Sequence, residues 1–111
     1  AGHLAEMIRA SGEVTVDLDL DALPALNGAT DLFAQGFASL LQPENLRARH
    51  LIDGMDQAAK HPNLPLLFDP QTAGGLLASV PADRVADVPD AVVIGEVRAR
   101  GLADTFMELH S

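Results

Sequence analysis

Residues 14–20 alternate strictly between apolar and polar side chains, and this alternation is the strongest constraint on the fold. The apolar positions are Val14, Val16, Leu18 and Leu20, and the polar ones between them are Thr15, Asp17 and Asp19. Successive side chains of a strand point to opposite faces, so a period of two predicts a strand with one buried face and one face in water.

Helices are predicted on both sides of this strand. Residues from about Gly2 to Ser11 have the spacing of a short helix, and Gly12 is suited to end it. A second helix is predicted from a cap at Thr30 or Asp31 through Leu41.

The second half of the chain predicts further strands. We expect a buried strand over Leu76–Val80, a strand over Ala91–Val97 and a final strand over Leu102–Leu109, with a short helical piece within Pro81–Pro89. The 111 residues suit one domain. The expected fold class is α+β, in one compact domain.

Charge and composition exclude several functions. The chain has 16 acidic and 7 basic residues, a net charge of -9, no Cys and a single lysine, Lys60. So acidic a surface repels nucleic acid and anionic lipid. Without Cys there is no disulfide, thiolate nucleophile or cysteine-bound metal. No apolar run is long enough to cross a bilayer. Because the chain begins with Ala1 and shows no secretory leader, we expect a piece of a cytoplasmic protein.

Three alternate aspartates, Asp17, Asp19 and Asp21, could hold a hard cation on one face of a strand. The calcium-loop pattern fails, however, because Ala22 and Gly28 stand where its glycine and its bidentate acid are needed. We favour a solvated strand face. The four histidines lack paired spacing, and we predict no metal site among them; they are His3, His50, His61 and His110.

Two arginine pairs are conspicuous in an acidic chain, Arg47 with Arg49 and Arg98 with Arg100. They could bind an anion. We favour the alternative that they balance nearby carboxylates.

The segment from Asp69 to Gly75 is the best candidate for a ligand loop. Gly74 and Gly75 permit close backbone approach, and Asp69 and Thr72 add an acceptor and a hydroxyl. Turns of this kind can bind phosphate oxygens, although both glycine-rich phosphate fingerprints are absent. From the residue types alone, a structural turn is favoured over a ligand loop.

The same segment closely resembles a block of the selenophosphate synthetases (selenide, water dikinases). The matching residues are Asp69-Pro70-Gln71-Thr72-Ala73-Gly74-Gly75-Leu76-Leu77, against D-P-Q-T-[SA]-G-G-L-L. Further similar blocks follow the family's order: Gly2-His3-Leu4 with Glu6-Met7, Leu23-Pro24 with Gly28-Ala29, Asn45, and Ile94-Gly95-Glu96-Val97. One departure is the short Pro81–Pro89 segment, where the family usually has a longer helix.

The resemblance implies an enzyme that makes selenophosphate, AMP and phosphate from ATP, selenide and water, with Mg²⁺ and K⁺. It implies that this chain is a single C-terminal domain with the fold of the aminoimidazole ribonucleotide synthetase C-terminal domain, a mixed β-sheet covered by helices. The missing N-terminal domain of the same chain would carry the nucleophile and the catalytic lysine. The isolated chain, with no catalytic residues of its own, would then be inactive, and the intact enzyme would be a homodimer.

The resemblance also implies where ATP would be contacted. The cofactor-binding residues would be Asp69, Thr72, Gly74, Gly75 and Asn45. Two alternatives stay open: a non-catalytic dimerisation or docking module of the same fold, and a sister ATP-dependent kinase or synthetase of the superfamily.

Overall fold

A computed structural model describes residues 1–39, 42–70 and 75–111. Its strands are β1 (Val14–Asp19), β2 (Ile52–Asp53), β3 (Gly95–Ala99) and β4 (Met107–His110), joined in one sheet in the order β2-β4-β1-β3. Strand β1 is antiparallel to β3 and parallel to β4, and β4 is parallel to β2. The predicted α+β class with a mixed sheet is confirmed.

Short helices connect the strands. They are α1 (Gly2–Ser11), α2 (Ala29–Ala34), α3 (Gln42–Leu46) and α4 (Met55–Ala58), together with 3₁₀ turns at Leu20–Ala22, Arg47–Leu51, Leu64–Leu67 and Ala82–Asp87. The last of these turns confirms the helical piece predicted within Pro81–Pro89. Among the described residues, no helix is long and apolar enough to cross a membrane.

Helix α1 has the predicted bounds. Gly12 follows it with φ 97°, a left-handed conformation that glycine adopts without steric cost, and the helix ends there. Its Ala5 and Ile8 side chains are buried, with exposures of 4% and 2%. They join the core formed against one face of the sheet by Val16, Leu18, Leu20, Ile52, Ala58, Leu67, Phe68, Met107 and Leu109.

The opposite face of β1 is less exposed to solvent than predicted. Thr15 is only 1% exposed, and its hydroxyl donates to the Thr105 carbonyl oxygen at 2.7 Å. Asp17 is half-buried because the Arg98 side chain covers it. The alternation predicted the strand correctly, but residues distant in sequence fold over its polar face.

Helix α2 is shorter than predicted. It begins at Ala29 after Gly28, so neither Thr30 nor Asp31 caps it. The chain leaves the helix at Gln35 and turns at Gly36, whose φ is 88°. Phe37 is 62% exposed and lies on no helical face. The predicted end of this helix, at Leu41, lies outside the described residues.

Two of the predicted strands are displaced and one is wrong. Strand β3 begins at Gly95 and β4 at Met107, later than the predictions placed them. Residues Leu76–Val80 form no strand with any described part of the chain, and Leu76 is 98% exposed. A short apolar run has no periodicity that separates a paired strand from an unpaired segment, which explains the error.

Candidate functional site

Three segments distant in sequence meet at the amino end of α1. The backbone nitrogen of Ala1 donates to the Leu67 carbonyl oxygen. The Asn45 side-chain amide nitrogen donates to the Phe68 carbonyl oxygen at 2.9 Å. The Asn45 oxygen Oδ1 also lies 3.5 Å from the position that a Gly2 side chain would occupy. Asn45 therefore hydrogen-bonds the segment that leads into Asp69 and lies beside the start of α1.

The core holds this arrangement in place. Leu67 and Phe68 bury their side chains, with exposures of 7% and 2%. Their carbonyl oxygens remain available to accept from Ala1 and Asn45. Asp69 and Pro70 follow directly and are half-buried.

The start of α1 offers backbone N–H groups as hydrogen-bond donors. The backbone N–H groups in the first turn of a helix have no partner within the helix, and the helix dipole places positive potential there. The first turn of α1 contains no acidic residue that would compete for these groups. The arrangement is chemically suited to orient phosphate or carboxylate oxygens.

The structure describes three of the five predicted site residues, and only two of these lie at the start of α1. Asn45 lies in α3, half-buried, and Asp69 follows the carbonyl that Asn45 binds. Gly75 is exposed, and no described atom lies within 4 Å of the position its side chain would take. Thr72 and Gly74 lie outside the described residues. The structure thus brings Asn45 to the base of the predicted loop and shows no contact for Gly75.

Sequence reasoning missed the backbone partners of this site. The carbonyl groups of Leu67 and Phe68 join it, and no side-chain motif marks a carbonyl acceptor. The one available signal was that Gly2-His3, Asn45 and Asp69 all belong to blocks of the same family resemblance. Their shared membership could have indicated that they meet in space.

A second cluster of charged residues lies on the polar face of the sheet. The Arg98 guanidinium contacts Asp17 at 2.8 Å, Asp104 at 2.6 Å and Glu108 at 2.8 Å. Its hydrogen bonds to Asp104 and Asp17 raise the pKa of Arg98, and the bond from Arg98 in turn holds the pKa of Asp104 below its ordinary value. We predicted that arginine balances carboxylates here, and Arg98 does so.

Three groups in this cluster have ligand atoms within 4.8 Å of one another: Asp17, Glu108 and His110. Arg98 already supplies the positive charge that both carboxylates need. Asp21 pairs instead with His61 at 2.9 Å, and Asp19 accepts the Asp21 backbone N–H at 3.0 Å. Asp17 and Asp21 therefore form ion pairs with different partners, whereas Asp19 accepts a backbone hydrogen bond.

Arg100 has a structural role. Its Nη2 donates to the Val14 carbonyl oxygen at 2.6 Å, and its guanidinium lies 4.4 Å from the centre of the Phe106 ring. These contacts use the charge and the planar face of the side chain within the protein itself.

The fold and the site describe an α+β domain in which a helix start, a helical asparagine and an Asp-Pro loop converge. No family model matches the chain. It is similar to the selenide, water dikinase of Desulfitobacterium hafniense (strain Y51), with 37% identity over 108 residues covering 88% of this chain and 30% of that protein. It is 38% identical over 79 residues to that of Geobacter metallireducens, covering 71% of this chain and 22% of that protein. It is 40% identical over 88 residues to the selenide, water dikinase of Yersinia pestis, and this match covers 78% of this chain and 24% of that protein.

These comparisons relate the chain to the selenide, water dikinases, also called selenophosphate synthetases, as its motifs predicted. The chain spans 22% to 30% of the length of these three relatives.

Proposed function

We propose that this chain is the C-terminal domain of a selenide, water dikinase and forms part of its ATP site. The observation that carries the proposal is the hydrogen bond from Asn45 to the Phe68 carbonyl, made beside Gly2 at the start of α1. It brings three blocks of the family resemblance to one place, at a helix end suited to bind phosphate oxygens. The similarity to named selenide, water dikinases supports the same assignment.

The intact enzyme would convert ATP, selenide and water into selenophosphate, AMP and phosphate. Bound Mg²⁺ and K⁺ would neutralise phosphate charge in that reaction. The family resemblance would place the nucleophile and the catalytic lysine in the N-terminal domain, and this chain itself has no Cys. The isolated chain would accordingly turn over no ATP.

Each site residue then has a defined task. Asn45 is a positioning residue, because its amide holds the Phe68 carbonyl and thereby fixes where Asp69 begins the loop. Asp69, Thr72, Gly74 and Gly75 would line the phosphate side of the cleft between the domains. Glycine at 74 and 75 would let backbone N–H groups approach the phosphates closely.

The test is a chimeric enzyme. This chain replaces the matching region of the Desulfitobacterium hafniense enzyme, and selenide-dependent AMP formation is measured. The parent chimera should be active, and Gly75→Val should lower kcat/KM for ATP by roughly a hundredfold if the loop backbone approaches the phosphates. Asp83→Asn, in the exposed 3₁₀ turn, is the control and should leave the activity unchanged.

Two results would overturn the proposal. One is a folded parent chimera that forms no AMP. The other is a Gly75→Val chimera with the parent's ATP turnover, which would remove the loop from the ATP site.

A docking module of the same fold is the second candidate. It is favoured by exposed apolar side chains, among them Leu76 at 98%, Phe37 at 62% and Val92 at 57%. Such side chains suit contact with another protein surface. As a pure docking module, the chain would support chimera activity that tolerates substitutions at both Gly75 and Asp69.

A further inference from the structure

Arg47 and Arg49, one of the two arginine pairs in the sequence, have different surroundings in the folded chain. Arg47 contacts Glu44 at 3.0 Å, as the predicted balancing of carboxylates requires. Arg49 is exposed, and within the described part of the chain its side chain forms no ion pair or hydrogen bond. In a chain with 16 acidic residues, a guanidinium without a carboxylate partner is available to an anion from outside the chain.

Arg49 lines a cleft of about 410 Å³. Residues of β2, of α4 and of the 3₁₀ turns at Arg47–Leu51 and Leu64–Leu67 surround it, and the full lining is Arg49, Ile52, Met55, Asp56, Ala59 and Leu64. The volume is within the range of about 300–1,000 Å³ that is typical of small-molecule sites. None of the lining residues belongs to the site at the start of α1.

The apolar part of the lining is held in place by the surrounding backbone. Ile52 is 6% exposed, and its N–H donates to the Arg49 carbonyl oxygen at the end of the turn. The Leu64 N–H donates to the His61 carbonyl oxygen at 3.1 Å. Met55 is half-buried, and its flexible thioether side chain can adapt to the shape of a ligand. The cleft is therefore suited to remove a small apolar group from water.

Asp56 adds a negative charge to the same cleft. It is exposed in α4, and its carboxylate has no hydrogen-bond or ion-pair partner among the residues that the structure describes. Arg49 and Asp56 thus line one cleft without pairing with each other. A ligand that presented an anion to Arg49 and a cation to Asp56 would be complementary to both charges.

A free α-amino acid with an apolar side chain carries these three groups together. We propose that the cleft binds such an amino acid, of the size of leucine or methionine. The Arg49 guanidinium donates to its carboxylate, and its ammonium group donates to the Asp56 carboxylate. Its side chain packs on the apolar surface that Ile52 and Leu64 provide. This inference is independent of the proposed ATP site.

The test is a titration of the 111-residue chain with L-leucine, followed by the amide chemical shifts in two-dimensional NMR. The amides of Ile52, Asp56 and Leu64 should shift saturably, with a dissociation constant of about 1 mM or below. Three analogues each lack one group: 4-methylpentanoate has no ammonium, 3-methylbutylamine has no carboxylate, and glycine has no side chain. Each should bind roughly tenfold more weakly than leucine, because one of the three contacts is lost.

Two substitutions on the protein side complete the test. Arg49→Gln and Asp56→Asn should each raise the dissociation constant for leucine roughly tenfold. Both residues are exposed, so the fold should survive, and the circular dichroism of the parent should be kept. The matched controls Arg47→Gln and Asp83→Asn make the same charge changes outside the cleft and should leave the dissociation constant unchanged.

Three results would overturn the inference. The first is the absence of saturable shifts at a leucine concentration about twentyfold above the expected dissociation constant. The second is an analogue without the carboxylate, the ammonium or the side chain that binds as tightly as leucine. The third is a leucine affinity that neither Arg49→Gln nor Asp56→Asn changes.

Discussion

Arg98 joins parts of the chain that are far apart in sequence. It connects Asp17 of β1 to Asp104 and Glu108, which lie just before and within β4. All four side chains are partly buried. Charges that water screens only in part interact more strongly than fully exposed pairs. We therefore expect this network to increase the free energy of unfolding.

The pH dependence of stability tests the role of Asp104. Arg98 lowers the pKa of this carboxyl in the folded chain, so its contribution is present above the ordinary value near 3.9 and is lost as the pH falls through the lower folded value. In urea unfolding, Asp104→Asn should be less stable than the parent at pH 7. The difference should shrink as the pH falls below about 4.

Asp83→Asn is the matched control for this series, because Asp83 is exposed in the 3₁₀ turn at Ala82–Asp87. Its stability should follow the parent's at every pH. A constant gap between the Asp104→Asn variant and the parent from pH 7 to pH 2 would show that the ion pair does not set the acid sensitivity.

The residue types in the sequence predicted some of these contacts and not others. A balancing role for Arg98 was predictable from a chain with few cations. Its partner Asp104 was not, because the turn at Gly101, whose N–H donates to Asp104 at 2.7 Å, has no periodic signal. The covering of Thr15 was unpredictable for the same reason, since the Thr105 carbonyl that binds it reaches β1 only in the folded chain.

At the level of elements, Gly95 controls how closely β3 approaches β1. A side chain built at Gly95 would lie 2.1 Å from the Asp17 carbonyl oxygen, well inside contact distance. Gly95→Ala should therefore force the strands apart and lower the free energy of unfolding by about 1–3 kcal/mol. Chemical denaturation measures this change directly.

Gly75→Ala is the corresponding control, because no described atom lies within 4 Å of its Cβ position. Its stability should change by less than about 0.5 kcal/mol. Equal effects of the two substitutions would contradict the close approach of β3 to β1.

The link between α3 and the loop base is tested at Asn45. Asn45→Ala removes the donor to the Phe68 carbonyl and should lower the free energy of unfolding by about 0.5–1.5 kcal/mol. Amide exchange of Asp69 should become faster, because the segment loses its tether. Asn63→Ala is a useful comparison, since Asn63 donates to the Leu20 carbonyl at 2.9 Å and should destabilise the chain without affecting Asp69 exchange. Unchanged exchange at Asp69 in the Asn45 variant would remove the positioning role.

Elements with strong local signals were predictable. Helix α1 has helical spacing and a terminal glycine, and β1 has strict alternation, so both were found within a residue or two of their bounds. The prediction carried α2 too far because it did not end the helix at Gly36, where the chain turns with a φ of 88°. The run Leu76–Val80 has strand composition, but only a pairing partner would make it a strand.

On the scale of the whole molecule, the chain resembles one part of a larger protein. It spans less than a third of the three selenide, water dikinases compared above, at 22% to 30% of their length. The family relationship was predictable because the Asp69–Leu77 motif is specific. The site was predictable only in part, because the meeting of Gly2, Asn45 and Phe68 depends on how helices and turns pack around the core.

We propose that this domain contributes to an ATP site that another domain completes. The most direct measurement is selenide-dependent AMP formation by the isolated 111-residue chain and by the chimera that joins it to the remainder of the Desulfitobacterium hafniense enzyme, under the same conditions. The account predicts no AMP from the isolated chain and sustained AMP formation by the chimera. Turnover by the isolated chain, or an inactive chimera that is correctly folded, would contradict it.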